Sequence, residues 1–145
     1  MSENGYALVP TAFCAACGEQ DTLVLAVRDL PFEYRGQSTL IRAVHGQFCT
    51  ACGEGLADPA HPEDWLRLND EIQVFTQQIN AALAAEMRTI RRKLGLRQAE
   101  AGKLFGGGIS AFSEYERGKT QPHKSTVLLL RLINHHPELL EELRG

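Results

Sequence analysis

Four cysteines in two matched pairs constrain this chain more than any other feature. They read Cys14-Ala-Ala-Cys17 and Cys49-Thr-Ala-Cys52, with 31 residues between the pairs, and a glycine follows each pair at Gly18 and Gly53. Two thiolates three positions apart in a tight turn take adjacent corners of a tetrahedron, at Zn–S distances of about 2.3 Å. The glycine relaxes the backbone so that amides can turn toward the sulfurs. Two such knuckles, FCAACGE and FCTACGE, complete a Cys₄ site. One structural zinc ion per chain, held by Cys14, Cys17, Cys49 and Cys52, is therefore expected. Other cysteine chemistries fit less well. Disulfides do not suit a chain without a secretion signal. A thioredoxin-like pair needs a βαβ setting and one motif, and iron–sulfur centres use other spacings. Four thiolates leave no open position for water or substrate, so a catalytic metal is not expected. His45, four residues before Cys49, is expected beside the site or at the surface rather than as a ligand.

The segment between the knuckles reads as β structure. LVLAV (23–27), FEYRG (32–36) and STLIRAVHGQF (38–48) mix β-branched, aromatic and alternating residues, with Pro31 and Gly36 as punctuation. A small sheet with the zinc site at its base follows, the metal substituting for a core so short a segment cannot supply.

The opening residues MSENGYALVP lack the basic and apolar regions of a secretory signal. No apolar run approaches the roughly 18 residues of a membrane span. A cytoplasmic protein with no membrane partner is expected. Its net charge of -3 conceals an asymmetry. Residues 1–85 carry -7, residues 86–135 carry +6 and the last ten carry -2. A basic segment between acidic ones suits a nucleic-acid contact surface attached to something else.

From 63 to 94 there is neither proline nor glycine, and apolar residues recur at Trp65, Leu68, Ile72, Phe75 and Ile79, then at Leu83, Met87, Ile90 and Leu94. The stripe slips by one residue near 80–83. Two helices, or one bent helix, are expected to meet there, and the domains divide as 1–80 and 81–145. Packing within each domain explains this stripe better than a coiled coil with a second copy.

Residues 86–135 carry a helix-turn-helix pattern. A first helix ends at Gly95, a second spans 97–105, Gly106–Gly108 forms the turn, and a third covers 110–117 before Gly118. Leu96, Ala99, Leu104, Ile109, Phe112 and Tyr115 are the expected shared core. Ser125 is the expected cap of a fourth helix, and Pro137 the first residue of a terminal one. The glycine run is no phosphate loop, because Gly108 is followed by Ile109 rather than by Lys-Ser/Thr. The fold class is thus α+β: a small zinc-bound β-containing N-terminal domain, then an all-α helix-turn-helix domain of about five helices.

The stretch RRKLGLRQAEAGKLFGGGISAFSEYERGKTQP resembles the Xre/Cro-type helix-turn-helix. With the cysteine pairs upstream, the whole chain is similar to the MqsA family of type II antitoxins. The similarity extends to DLPFEYRG and HGQFCTAC in the first half, and to FGGG-x-x-AFS-x-YE-x-G-x-x-QPH and HPELL in the second. It implies an antitoxin whose zinc-bearing domain engages a small ribonuclease toxin, basic to suit the acidic first half. It also implies a helix-turn-helix domain that forms a homodimer on double-stranded operator DNA and represses its own operon. The β segment 29–36 is then the expected toxin contact. One departure matters: where the family typically reads bases with an Asn and an Arg, this chain has Ser110 and Glu114. Asn pairs with adenine and Arg with guanine, whereas Ser is indiscriminate and Glu accepts from cytosine. A changed operator is expected. Ser110, Ser113 and Glu114 are the candidate base readers, and Arg97, Gln98 and Lys119 the candidate phosphate contacts, with Lys103 and Lys124 as further cations.

A free-standing zinc-stabilised transcriptional regulator without a toxin is the alternative. An enzyme is not expected, because no metalloprotease motif or marked nucleophile and base is present.

Overall fold

A computed structural model describes residues 7–8 and 12–145. Apart from Ala7 and Leu8, the opening residues read above for a secretion signal lie outside that range. Strands β1 (Ala7–Leu8), β2 (Leu23–Tyr34), β3 (Gln37–Cys49) and β4 (Gly55–Ala57) form one antiparallel sheet in chain order. The helices follow: α1 (Pro62–Lys93), α2 (Gln98–Phe105), α3 (Ala111–Glu116), α4 (Lys124–His135), a 3₁₀ turn (Pro137–Leu139) and α5 (Leu140–Arg144). The architecture is α+β, as the pattern of elements indicated. Two compact units divide the chain, Met1–Thr76 and Gln77–Gly145.

The first unit is built on the β2–β3 hairpin. Tyr34 pairs with Gln37, and both turn residues, Arg35 (φ 49°) and Gly36 (φ 76°), lie in the left-handed region that two-residue hairpin turns need. The sequence suggested that Pro31 separates two strands, yet β2 runs through it. Among the described residues β2 pairs with β1 at Val24 and Leu25, and at Pro31 with β3 alone, where a missing donor is tolerated. A bulge between Arg28 and Leu30 shifts the register, and there Ala43 (φ 53°) donates its amide to Asp29 Oδ1 at 2.8 Å. Phe48, Val24 and Ala26 form a small core on the sheet, with the Arg28 guanidinium 4.6 Å above the Phe48 ring centre. The first turns of α1 join this unit. Arg67 donates to the Ala43 carbonyl at 3.1 Å, and the Phe75 ring meets Phe32 edge-on at 6.1 Å.

The register slip near 80–83 does not break the helix: α1 is a single element. Ala81, Ala82, Ala84 and Ala85 are the strongest helix formers, and nothing there lacks a donor, so propensity carries the helix through. The slip marks a change of packing surface instead. Phe75 belongs to the sheet unit, while Leu83, Met87 and Ile90 enter the core of the helical one.

That second core is larger. Phe112, Met87 and Leu130 are almost wholly buried, alongside Leu96, Ala101, Phe105, Ala111, Tyr115, Val127, Ile133 and Leu140. Each large side chain contributes about 1.5–3 kcal/mol by leaving water. Two expected core residues are not in it: Ala99 is exposed, and Ile109 is 64% exposed. With α2 starting at Gln98, Ala101 and Phe105 share its inner face four residues apart. Ile109 falls before α3, on the exposed turn, and Ala111 takes its place inside. Gly102 is required by contact, since a Cβ there would lie 1.8 Å from the Gly108 carbonyl oxygen. Ser125 does not cap α4. The cap position is His123, without a side-chain bond, and Ser125 lies inside the first turn.

Candidate metal centre and nucleic-acid interface

The two knuckles fold alike because their sequences nearly repeat. Gly18 donates its amide to the Cys14 carbonyl at 2.7 Å, and Gly53 to that of Cys49 at 2.9 Å. In each, the first cysteine's own amide bonds to the residue after the glycine: Cys14 to Glu19 at 2.9 Å, Cys49 to Glu54 at 2.8 Å. Both glycines have φ of 80°, which a side chain would strain. Cys49 ends β3 opposite Leu23, the first residue of β2, so the sulfurs gather at the end of the hairpin away from its turn.

The four sulfurs all lie within 4.8 Å of one another. Cys14 and Cys52 approach to 3.6 Å, Cys17 and Cys49 to 3.7 Å, each pair joining one knuckle to the other. A tetrahedron with arms of about 2.3 Å has edges of about 3.8 Å, so the spacing fits a thiophilic metal ion. All four are free thiols, with Cys14 and Cys49 buried and Cys17 and Cys52 exposed. Thr22 Oγ1, 3.2 Å from Cys49 Sγ, leads the hydrogen bonds that hold that thiol down at about 6. At Cys52 the Glu54 amide also favours the thiolate, but desolvation and the neighbouring sulfurs outweigh it and push the thiol up to about 12. Hydrogen bonding thus favours the thiolate at Cys49, while desolvation and the neighbouring sulfurs oppose it at Cys52. A dication would reverse that balance and draw off the remaining protons.

His45 belongs to a different group. Its Nδ1 lies 2.6 Å from Asp64 Oδ2, its amide donates to the same oxygen at 2.8 Å, and its ring stacks on His61 at 3.7 Å. These bonds, the His45 amide first and its ring second, hold the Asp64 carboxyl down at about 2. Asp64 thereby ties the first turn of α1 to β3.

The helix-turn-helix residues fall into three groups. Ala111, Phe112 and Tyr115 turn inward, while Ser110 is exposed just before α3 and Ser113 and Glu114 are half-buried. Glu114 accepts a bond from the Thr120 hydroxyl at 3.4 Å. Arg97 and Lys119 are exposed. Gln98 is engaged within the fold: its side-chain amide donates to Glu116 at 3.1 Å. Glu116 also receives Arg91, whose guanidinium approaches at 2.7 and 3.0 Å and donates to the Leu96 carbonyl at 2.8 Å. This buried ion pair links α1 to the end of α3. It was not foreseen from the sequence, where 25 residues separate its partners. Beside it Arg88, Arg91, Arg92, Arg97 and Arg117 line an open groove of about 520 Å³. Of these, only Arg97 was singled out from the sequence. The basic run Arg91-Arg92-Lys93 was a signal that a helix C-terminus explains equally well. Among the described residues no helix is long and apolar enough to cross a membrane.

A family model described as the antitoxin component of a bacterial toxin–antitoxin system, MqsA, matches residues 12–144. Antitoxin MqsA of Escherichia coli strain K12 is 38% identical over 133 residues, which cover 90% of this chain and 98% of that protein. A solved structure of the N-terminal domain of E. coli MqsA aligns with 48% of this chain and 98% of its own, at 24% identity and a TM-score of 0.39. The family match takes in both cysteine knuckles and the whole helix-turn-helix, and on it the chain belongs to the MqsA antitoxin family.

Proposed function

We propose that this chain is an antitoxin and autorepressor: residues 1–80 neutralise a small basic ribonuclease toxin, and residues 81–145 bind double-stranded operator DNA as a homodimer in the cytoplasm. The observation that carries this reading is the family match across residues 12–144, which includes both units. The geometry supports each half. Zinc held by Cys14, Cys17, Cys49 and Cys52 locks the two knuckles together. With four sulfurs around it the ion keeps no place for a substrate, in keeping with a binding protein rather than an enzyme. In the second unit Ser110, Ser113 and Glu114 read bases, while Arg97 and Lys119 hold phosphates. Gln98, the first residue of α2, serves the contact indirectly: its side-chain amide donates to Glu116 at the end of α3 and braces the two helices against each other.

The test is growth. A small open reading frame adjacent to this gene is expressed under tight control, with and without the chain. Arrest relieved by co-expression, with the inducing promoter unaffected, is the expected result. A toxic neighbour that this chain cannot relieve, or no toxic neighbour, leaves a zinc-stabilised regulator and overturns the antitoxin reading.

A further inference from the structure

Several arginines of this chain are neutralised by carboxylates within the fold. Arg42 pairs with Asp29, Arg67 with Asp64 and Glu71, Arg91 with Glu116, Arg131 with Glu86, and Arg144 with Glu141. Among the described residues no ion pair joins Arg88, Arg92, Arg97 or Arg117 to a carboxylate, and these four share one open groove in the helical unit. They come from three places: Arg88 and Arg92 one turn apart on α1, Arg97 just before α2, and Arg117 just after α3. The one carboxylate lining the groove, Glu116, is already satisfied by buried Arg91 and by Gln98. Four unneutralised guanidinium groups around one concavity repel one another, and an anion that enters relieves that repulsion.

We infer that this groove is a phosphate-tracking site that takes the sugar–phosphate backbone of duplex DNA beside the bases met by α3. The inference rests on the DNA-binding reading above and adds Arg88, Arg92 and Arg117 to it. Guanidinium forks bind phosphate oxygens in pairs and stay charged at any working pH, which suits a site built from arginine rather than lysine. The position suits a backbone rather than a free anion. Arg117 Nε donates to the Ser113 carbonyl at 3.2 Å, which sets its stem directly against the candidate reading residues. Arg97 stands at the entrance to α2. Contacts of this kind fix orientation on the duplex and carry no sequence information. That leaves Ser110, Ser113 and Glu114 free to specify a different operator without loss of grip.

The experiment measures binding of the full chain, by fluorescence anisotropy, to a duplex of its own upstream DNA and to a scrambled duplex across a range of KCl concentrations. Each neutralised phosphate adds about 0.9 to the slope of log affinity against log salt. Arg88→Gln and Arg117→Gln are each expected to lower that slope by about one unit on both duplexes, and the double variant by about two. The ratio of affinities for the two duplexes stays the same. Arg144→Gln, which removes the same charge from a paired arginine in the same unit, leaves the slope unchanged. Melting curves verify that the exposed substitutions keep the fold. If the wild type binds with a salt-dependent slope and both groove variants retain it, the groove carries no phosphate and the inference is overturned while the DNA reading stands. If the wild type binds neither duplex at any salt concentration, the DNA reading fails and the groove proposal with it.

Discussion

The two units of this chain secure their folds by different means. In the first, the buried apolar groups among the described residues are divided: Val24, Ala26 and Phe48 on the sheet, Ile41 and Val44 elsewhere on β3, and Cys14, Leu23 and Cys49 around the sulfurs. In the second, one continuous cluster draws residues from α1 through α5. A sheet with so little core depends on what ties its ends, here two knuckles of sulfur and the Asp64 carboxylate. A helical unit with a full core can instead bury an ion pair and hold a row of unneutralised arginines at its surface. The first unit is thus held by local cross-links, and the second by packing between distant segments.

The largest expected effect breaks the first of these. Cys49→Ser removes a proposed metal ligand that is also the buried end of β3. Structural zinc contributes on the order of 10 kcal/mol in small zinc-finger peptides. The variant is expected to lose its metal, measured by atomic emission, and the melting transition of the first unit, while the helical unit keeps its own. A variant with full metal content and both transitions would remove Cys49 from the centre. Next in size is the buried pair of the second unit. Glu116→Ala strands Arg91, which is only 9% exposed, and breaking such a pair costs about 3–5 kcal/mol. The melting transition of the helical unit should fall, with metal content unchanged; a drop confined to the first unit would contradict the separation drawn here.

A smaller effect is read through pH. The Asp64 carboxyl is held at about 2 when folded, against an ordinary 3.8. Its contribution to stability is present above about pH 4 and is lost as pH falls toward 2. Acid titration of the first unit should show that decline, and Asp64→Asn should flatten it between those limits. An identical profile in the variant would mean that the tie between α1 and β3 does not depend on the charge. The smallest effect on stability, and the most informative for function, comes from Glu114→Ala. Among the described residues its half-buried side chain bonds to Thr120 alone, so melting should move little, within about 0.5 kcal/mol. Its sequence preference, read by selection from a random duplex pool, should change. An unchanged preference would take Glu114 out of the base readers.

These contrasts follow how far apart in the chain the deciding residues lie. The knuckles were legible because everything they need is within seven residues: two sulfurs, a glycine, and amides that reach back to the first cysteine. Gly36 was legible as a break between strands, but Arg35, read as part of the strand, belongs to the turn. The α2 and α3 helices were found, and Leu104, Phe112 and Tyr115 were assigned inward correctly, but Ala99 and Ile109 were assigned inward where Ala101 and Ala111 are buried. Whether Ala99 or Ala101 is buried depends on where α2 begins, and a shift of a residue or two rotates the face. His45 looked like a neighbour of Cys49, four residues away, yet strand geometry and α1 give it to Asp64 and His61.

The sequence by itself determined the two knuckles, the strand and helix content, the basic character of residues 86–135 and the family, because each is written in short patterns or in a match along the chain. Only the tertiary structure decided that α1 stays whole through its register slip, that Arg91 is spent on Glu116, and that Arg88, Arg92, Arg97 and Arg117 face one groove. The physical reason is that charge neutralisation acts through space. An arginine's partner is whichever carboxylate folding brings within about 4 Å, and linear spacing does not say which arginines will be left without one.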